Sequence, residues 1–335
     1  MGRARGGRLL PVLAALFVAL LLISGCAAEG EDEEGSPVPA EEPEAPMEDK
    51  EKAALYAAIG SFVGKAWNGS GLFPDPCGQT PIQGVSCDLF NGVWYPTVVS
   101  IGPVLDNSLQ CAPDARFSPQ LFDLRRLKSL TFYACFPAAN PTTIPAASWD
   151  KLSGTLETLE FRSNPGLSGA IPASLGRLAS LRSLVLVDNN LTGAIPESMA
   201  AMPRLRFLAL DHNRLSGTVP AKLAALPSIG AMYLNGNNLT GALEFSARFY
   251  QRMGSRFASW DNPGLCTAET AGGAPTGVAV CKDAQDPPRV GVRDGMDGGG
   301  RRPEASSSLP ASSSSSAMVA VLWWSVLAQG MAMAL

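Results

Sequence analysis

Histidine is almost absent from this sequence, since the 335 residues contain only His212. A single imidazole excludes a multi-histidine metal site and removes the usual histidine-based acid and base catalysis. Charged residues are also scarce, at 17%, and the formal net charge is −4. A nucleic-acid-binding protein would need a concentrated basic face, so nucleic acid is not an expected partner. These absences favour a non-catalytic protein that needs no cofactor.

The N-terminus has the pattern of a secretory signal. Three arginines precede an unbroken apolar run at residues 9–23, and small residues follow it. This order predicts a signal peptide over residues 1–28 that is cleaved after Ala28. A retained membrane anchor, or acylation of Cys26 in a bacterial lipoprotein box, is the alternative.

The C-terminus has the pattern of a lipid-anchor signal. Residues 317–335 form an uncharged apolar tail, which follows a mostly polar spacer and the small residues Ser306, Ser307 and Ser308. The order predicts a glycosylphosphatidylinositol anchor at one of these serines. A membrane span that keeps the tail is the alternative, although no Lys or Arg follows to hold it. The expected location is the cell surface, on the outer face of the plasma membrane.

Two segments contain few residues that can build a core. Residues 29–51 hold eleven acids against one lysine, together with four prolines, which predicts a disordered spacer. Residues 283–316 are rich in Gly, Pro and Ser, which predicts a flexible stalk. Between them, apolar spacings of three and four predict a first helix over residues 51–67.

The central part repeats itself every 24 or 25 residues. The four regular copies of the pattern LxxLxLxxN start at Leu156, Leu181, Leu205 and Ile229. Period and pattern are those of leucine-rich repeats, in which leucines point inward and the Asn satisfies backbone groups. The prediction is an α/β repeat solenoid with about seven parallel strands. Repeats are expected at 97–253, an N-terminal helical and disulfide cap at 52–96, and a C-terminal repeat or cap at 254–282.

Six cysteines remain after removal of the signal peptide, an even number that suggests disulfides in a secreted chain. Six cysteines allow 15 pairings. Proximity in the repeat register favours Cys77 with Cys87, Cys111 with Cys135, and Cys266 with Cys281. The alternatives are a free inward-facing thiol at Cys135 and a zinc site, which the absence of any CxxC spacing disfavours.

Three sequons predict N-glycosylation, at Asn68, Asn190 and Asn238. In the last two, the acceptor directly follows the inward Asn of a repeat, so it is expected to point outward. The alternative is that the sequence NNLTG belongs only to the repeat pattern and does not mark a glycosylation site.

Two parts of the chain resemble known plant proteins. Asp75 to Gly78 and Gly84 to Cys87 resemble the N-terminal cap of plant leucine-rich repeat proteins, and LTGAIP and LSGTVP resemble the plant class of repeat. The blocks from Asp106 to Cys111 and from Leu130 to Phe136 resemble the Piriformospora indica-insensitive proteins. This resemblance implies a plant-type horseshoe with disulfide caps and a receptor-like role in microbe response or growth. It implies no ligand residues, and the acidic spacer is not part of the pattern.

Side chains between the inward leucines are expected to face out of the sheet on its concave side. Those expected to bind a partner are Tyr133, Glu160, Arg162, Val185, Val187, Asp188, Phe207, Asp211, His212, Tyr233 and Asn235. Aromatic residues and Arg dominate many interfaces, which favours this row as the binding surface.

Binding is the expected function, because the motifs of a kinase are missing and His212 has no evident serine partner. The expected partner is an extracellular protein or peptide, with a receptor kinase as co-receptor and the membrane reached through the lipid anchor. The alternative function is an inhibitor or scaffold that binds a wall-degrading enzyme or a wall polymer.

Overall fold

The computed structural model describes residues 46–103, 108–268 and 275–281. The predicted signal peptide, residues 29–45, the stalk, the serines of the anchor site and the C-terminal tail lie outside these residues. Cys26 lies outside them as well.

One long sheet forms a side of the repeat domain. Its eight strands, in spatial order, are β1 (Val85–Phe90), β2 (Val93–Ile101), β3 (Ser129–Tyr133), β5 (Thr158–Arg162), β7 (Ser183–Val187), β9 (Phe207–Ala209), β11 (Ala231–Tyr233) and β13 (Phe257–Ala258). We call it the first sheet. Strands from β2 onward are parallel, which confirms the seven strands expected from the repeat pattern. Strand β1 was not expected, and it pairs antiparallel with β2 across a tight turn at Asn91 and Gly92.

A second, parallel sheet lies on another side of the coil. Its strands are β4 (Thr142–Thr143), β6 (Leu167–Ala170), β8 (Asn190–Gly193), β10 (Arg214–Gly217), β12 (Asn238–Leu243), β14 (Gly264–Thr267) and β15 (Ala279–Val280). We call it the second sheet. Gly193 at the end of β8 has φ +76°, a conformation that favours glycine and turns the chain out of the strand.

Short 3₁₀ helices complete the repeats, and longer helices lie at both ends. The 3₁₀ helices are Pro119–Asp123, Trp149–Leu152, Ala173–Arg177, Glu197–Ala201, Ala221–Ala225 and Gly254–Arg256. The α-helices are α1 (Asp49–Val63), α2 (Gly69–Leu72) and α3 (Ala247–Met253). A single apolar core runs through the repeats and includes Leu55, Ile59 and Phe62 of α1. Helix α1 therefore covers the N-terminal end of the core, as the sequence predicts.

The folded part begins earlier than expected. Helix α1 starts at Asp49 and ends before Gly64, whose φ of +99° stops a helix, rather than extending to residue 67. Before it, the carbonyl of Pro46 accepts a hydrogen bond from the Trp94 N–H at 3.0 Å. Residues 46–51 thus belong to the folded unit, and the predicted spacer boundary at residue 51 is wrong. Glu51 shows the reason, because its side chain packs inside and is 1% exposed.

Buried asparagines close each turn of the coil. Asn164, Asn189, Asn213, Asn237 and Asn262 are all buried, and each binds backbone groups of its own and a neighbouring repeat. Cys135 occupies the equivalent position one repeat earlier, and its N–H donates to the Asn164 side chain at 2.7 Å. The predicted role of the repeat Asn is confirmed.

The six cysteines form the three disulfides favoured by the register. Cys77 bonds Cys87, Cys111 bonds Cys135, and Cys266 bonds Cys281, with Cα–Cα distances of 5.6, 5.0 and 4.8 Å. The free-thiol alternative for Cys135 is therefore wrong. The first bond holds the N-terminal cap to β1, and the last joins β14 to the residue after β15.

Candidate functional site

The candidate site is the side of the first sheet that faces away from the core, which we call the outer face. The sheet register aligns its side chains in three rows. The start row, at the amino ends of the strands, is Val98, Ser129, Thr158, Ser183, Phe207 and Ala231. The middle row is Ser100, Thr131, Glu160, Val185, Ala209, Tyr233 and Ala258. The end row, at the carboxyl ends of the strands, is Tyr133, Arg162, Val187, Asp211, Asn235 and Trp260.

Two of the predicted binding residues are not available at this surface. Val185 is fully buried and Asn235 is 6% exposed, so the expectation that they present surface to a partner is wrong. Val185 lies in β7 between β5 and β9, where neighbouring side chains cover a central residue, whereas Asn235 lies two residues after the end of β11. Tyr133, by contrast, is 37% exposed at the N-terminal end of the end row.

An aromatic pair lies on β9 and β11, toward the C-terminal end of the outer face. The ring centroids of Phe207 and Tyr233 are 5.6 Å apart and their planes are tilted by 52°. In the register, Phe207 lies opposite Ala231, and Tyr233 lies opposite Ala209, so the rings meet on the diagonal. Both side chains are half-buried. The small alanines leave the rings standing above the sheet, which makes them available for contact with a partner.

The charged residues of the site are paired with one another. The Arg162 Nε donates to Glu160 Oε2 at 2.8 Å within the same strand. His212 Nδ1 lies 3.0 Å from Asp211 Oδ2 and 3.8 Å from Asp188 Oδ1. Burial raises the pKa of the Asp211 carboxyl, and the hydrogen bond from His212 opposes that effect. The Glu160–Arg162 pair is neutral overall, and the rings of Phe207 and Tyr233 supply the apolar contact surface of the outer face.

Backbone geometry sets the direction of Asp188 and His212. Both have a left-handed φ, 55° and 54°, as do Ser163 and Asp261 in the equivalent position before the buried Asn. The chain turns there out of the strand, so Asp188 and His212 project at the edge rather than over the sheet. They are 55% and 57% exposed. The predicted site residues therefore divide between the surface around the aromatic pair and a charged edge.

Trp260 belongs to the outer face and was missed from the sequence. It is 41% exposed and follows Asn235 in the end row. The last repeat lacks the regularly spaced leucines, so the sequence does not show which of its residues align with those of the preceding repeats. Asn262 could have identified Trp260 as a residue of the outer face, because the residue two positions before each repeat Asn lies in the end row.

The three sequons lie away from the outer face. Asn68 is exposed and caps the short helix α2, where its Oδ1 accepts from the Gly71 N–H at 3.0 Å. Asn238 is exposed at the start of β12, while Asn190, at the start of β8, is half-buried. Glycosylation at these residues stays a prediction, and the second sheet would carry two of the glycans.

Within the described ranges, no cluster of three or more His, Cys, Asp or Glu side chains could hold a metal ion. In the same part of the chain, no helix combines the length and the apolar content needed to cross a membrane.

The repeat region of the chain matches a known protein family. The profile of the family "Leucine rich repeat" matches residues 154–215 and 179–239. With the two parallel sheets and the buried asparagines, this match shows that the chain contains leucine-rich repeats folded as a leucine-rich repeat solenoid. The solved structure of a plant ice-binding protein has the same fold, with a TM-score of 0.53, 24% identity, and coverage of 66% of this chain and 65% of that one.

A narrower relationship follows from two curated proteins of Arabidopsis thaliana. Piriformospora indica-insensitive protein 2 is 48% identical over 177 residues, which are 52% of this chain and 40% of that protein. Receptor like protein 29 is 39% identical over 79 residues, 24% of this chain and 17% of that protein. The resemblance to the Piriformospora indica-insensitive proteins is thereby confirmed. The chain matches less than half the length of either relative.

Proposed function

We propose that this chain is a non-catalytic, receptor-like protein that binds an extracellular protein or peptide on the outer face of its first sheet. The aromatic pair Phe207 and Tyr233 is the observation that carries the proposal. Aromatic side chains are among the residue types that most often dominate interface energetics. Kinship with a receptor-like protein and with Piriformospora indica-insensitive protein 2 supports the same role in plant signalling, microbe response or growth.

The outer face suits a partner better than the second sheet does. Exposed positions of the second sheet carry small side chains such as Thr192 and Thr240. Two predicted glycans would also stand at the start of its strands, at Asn190 and Asn238. The outer face has no sequon among its described residues, and it combines aromatic side chains with hydrogen-bonding groups.

We place the protein at the cell surface, held by a lipid anchor at Ser306, Ser307 or Ser308, with a receptor kinase as co-receptor. Phosphatidylinositol-specific phospholipase C should release it from intact cells. Retention after complete digestion, with the tail still detected by mass spectrometry, would contradict the anchor and leave the binding surface untouched.

The binding proposal is tested by truncating the aromatic pair. Partners are first captured from intact membranes by cross-linking and identified by mass spectrometry. The variant Phe207→Ala with Tyr233→Ala should then lower recovery of the main partner by about tenfold or more, because each hot-spot side chain contributes about 2 kcal/mol. A matched control is Leu72→Ala with Val280→Ala, two apolar side chains that are 61% and 51% exposed outside the first sheet.

Recovery at the wild-type level by a double variant that is secreted and melts normally would contradict the proposal. Inhibition of a purified polygalacturonase by the wild-type protein would instead favour the inhibitor function.

A further inference from the structure

Basic side chains line the edge at which the strands of the first sheet begin. A ladder of backbone hydrogen bonds runs along this edge. It includes Glu157 and the basic residues Lys128, Arg182 and Arg206. Arg126 and Arg204 occupy equivalent positions two residues before Lys128 and Arg206. We call these five residues, Arg126, Lys128, Arg182, Arg204 and Arg206, the basic edge.

Part of this charge has no partner in the folded domain. Lys128 pairs with Asp88 at 2.6 Å and Arg182 pairs with Glu157 at 3.3 Å. Arg126, Arg204 and Arg206 are exposed, and none has a carboxylate within 4.0 Å among the residues that the structure describes. Arg126 instead lies over the Phe90 ring at 4.8 Å and near the Tyr95 ring at 5.9 Å. The basic edge can therefore accept an acidic segment.

The chain enters the folded domain next to this edge. The Pro46 carbonyl binds the Trp94 N–H, and Trp94 neighbours the Tyr95 ring that Arg126 contacts. Two residues after Pro46, Glu48 lies 3.8 Å from Arg125, the residue before Arg126. Pro46 thus lies at the N-terminal end of the basic edge.

The segment that leads to Pro46 has the complementary charge. Residues 29–45 contain eight acids and no Lys or Arg. Seventeen residues can span up to about 55 Å, whereas four strand spacings, from β2 to β9, cover about 19 Å. Length, starting point and charge all allow this segment to follow the edge as far as Arg206.

We propose that residues 29–45 bind the basic edge of their own chain.

The proposed contact can be measured in the protein alone, from the rate at which its arginines are chemically modified. The full secreted protein is treated with phenylglyoxal, and the rate of modification of each arginine is followed by mass spectrometry. The same is done for a variant in which the eight acids of residues 29–45 are replaced by Gln or Asn. Arg126, Arg204 and Arg206 should react about three- to fivefold more slowly in the wild type, as expected for several tethered ion pairs. About 0.5 M salt should remove the difference.

Two exposed arginines serve as internal controls, Arg177 in a 3₁₀ helix and Arg214 in the second sheet. Their rates should be equal in both proteins. Equal rates for Arg126, Arg204 and Arg206 in both proteins would overturn the proposal, whether the edge is free or covered by another polyanion.

The segment itself supplies the converse measurement. Arg204→Gln with Arg206→Gln should speed cleavage after the glutamates of residues 29–45 by a glutamate-specific protease, whereas Arg214→Gln should not. Unchanged cleavage in the edge variant would show that the segment does not bind there, even if the outer face still binds a partner.

Discussion

Each repeat asparagine satisfies several buried backbone groups with one side chain. Asn213 accepts from the Leu191 N–H at 3.1 Å, and its amide group donates to the carbonyls of Leu186, Leu210 and Asp211. Asn213→Ala leaves these groups unpaired, and each unpaired buried group costs about 1–3 kcal/mol. We expect a loss of about 2–4 kcal/mol in the free energy of unfolding, measured by denaturant titration. Exposed Arg214→Ala, one residue later, should change it by less than about 0.5 kcal/mol. Similar losses in both variants would contradict the assignment.

A buried carboxyl makes the stability of the N-terminal cap depend on pH. Glu51 Oε1 accepts from the Arg125 N–H at 3.1 Å, but Oε2 has no hydrogen-bond partner among the residues that the structure describes. Burial raises the pKa of this carboxyl, and the hydrogen bond and charge of Arg125 only partly oppose the shift. Folding therefore favours the protonated form. The stability that Glu51 contributes is present below its unfolded pKa, about 4.3, and is lost as pH rises through the higher folded pKa.

Glu51→Gln tests this dependence, since glutamine keeps the shape and stays uncharged. The melting temperature of the variant relative to the wild type should be higher at pH 7 than at pH 4. Glu244→Gln, at an exposed residue, is the control. A relative melting temperature that does not change with pH for Glu51→Gln would rule out the effect.

A terminal repeat has a neighbouring repeat on one side only, and a disulfide stabilises each end of the repeat domain instead. Cys266 and Cys281 are 15 residues apart, and closing a loop of that size stabilises a fold by about 3 kcal/mol. Replacing both by Ser should lower the melting temperature and expose the C-terminal strands to protease first. The Cys77→Ser, Cys87→Ser pair should expose the N-terminal cap instead. Cleavage that begins at the same place in both variants would refute the assignment of a separate cap to each end.

The elements that could be predicted are those that fill the core. Leucines at fixed spacing, such as Leu181, Leu184 and Leu186, define the strands of the first sheet because inward residues alternate. The second sheet was missed because a strand such as β8 buries one leucine, Leu191, and otherwise depends on backbone hydrogen bonds. Strand β1 was missed because its residues match the cap motif, which shows no regular alternation.

For the domain as a whole, the sequence predicted which residues share the outer face, but not how exposed each of them is. The repeat register places Phe207 and Tyr233 on one face, and the structure brings their rings together. Exposure could not be predicted, because whether neighbours cover Val185 depends on three adjacent strands. Ion pairs such as Glu160 with Arg162 also depend on side-chain rotamers that no spacing reveals.

The central claim is that a partner binds the outer face, and a bulky group placed there tests it most directly. Thr158→Asn with Glu160→Thr creates a sequon on β5, whose side chains at 158 and 160 flank the buried Leu159. A glycan on the introduced asparagine would block the surface whichever side chains bind. Recovery of the partner should fall to background for the glycosylated variant and should be unchanged for Asn238→Gln, which removes an existing sequon. Full recovery by a protein whose added glycan is confirmed by mass spectrometry would contradict the account.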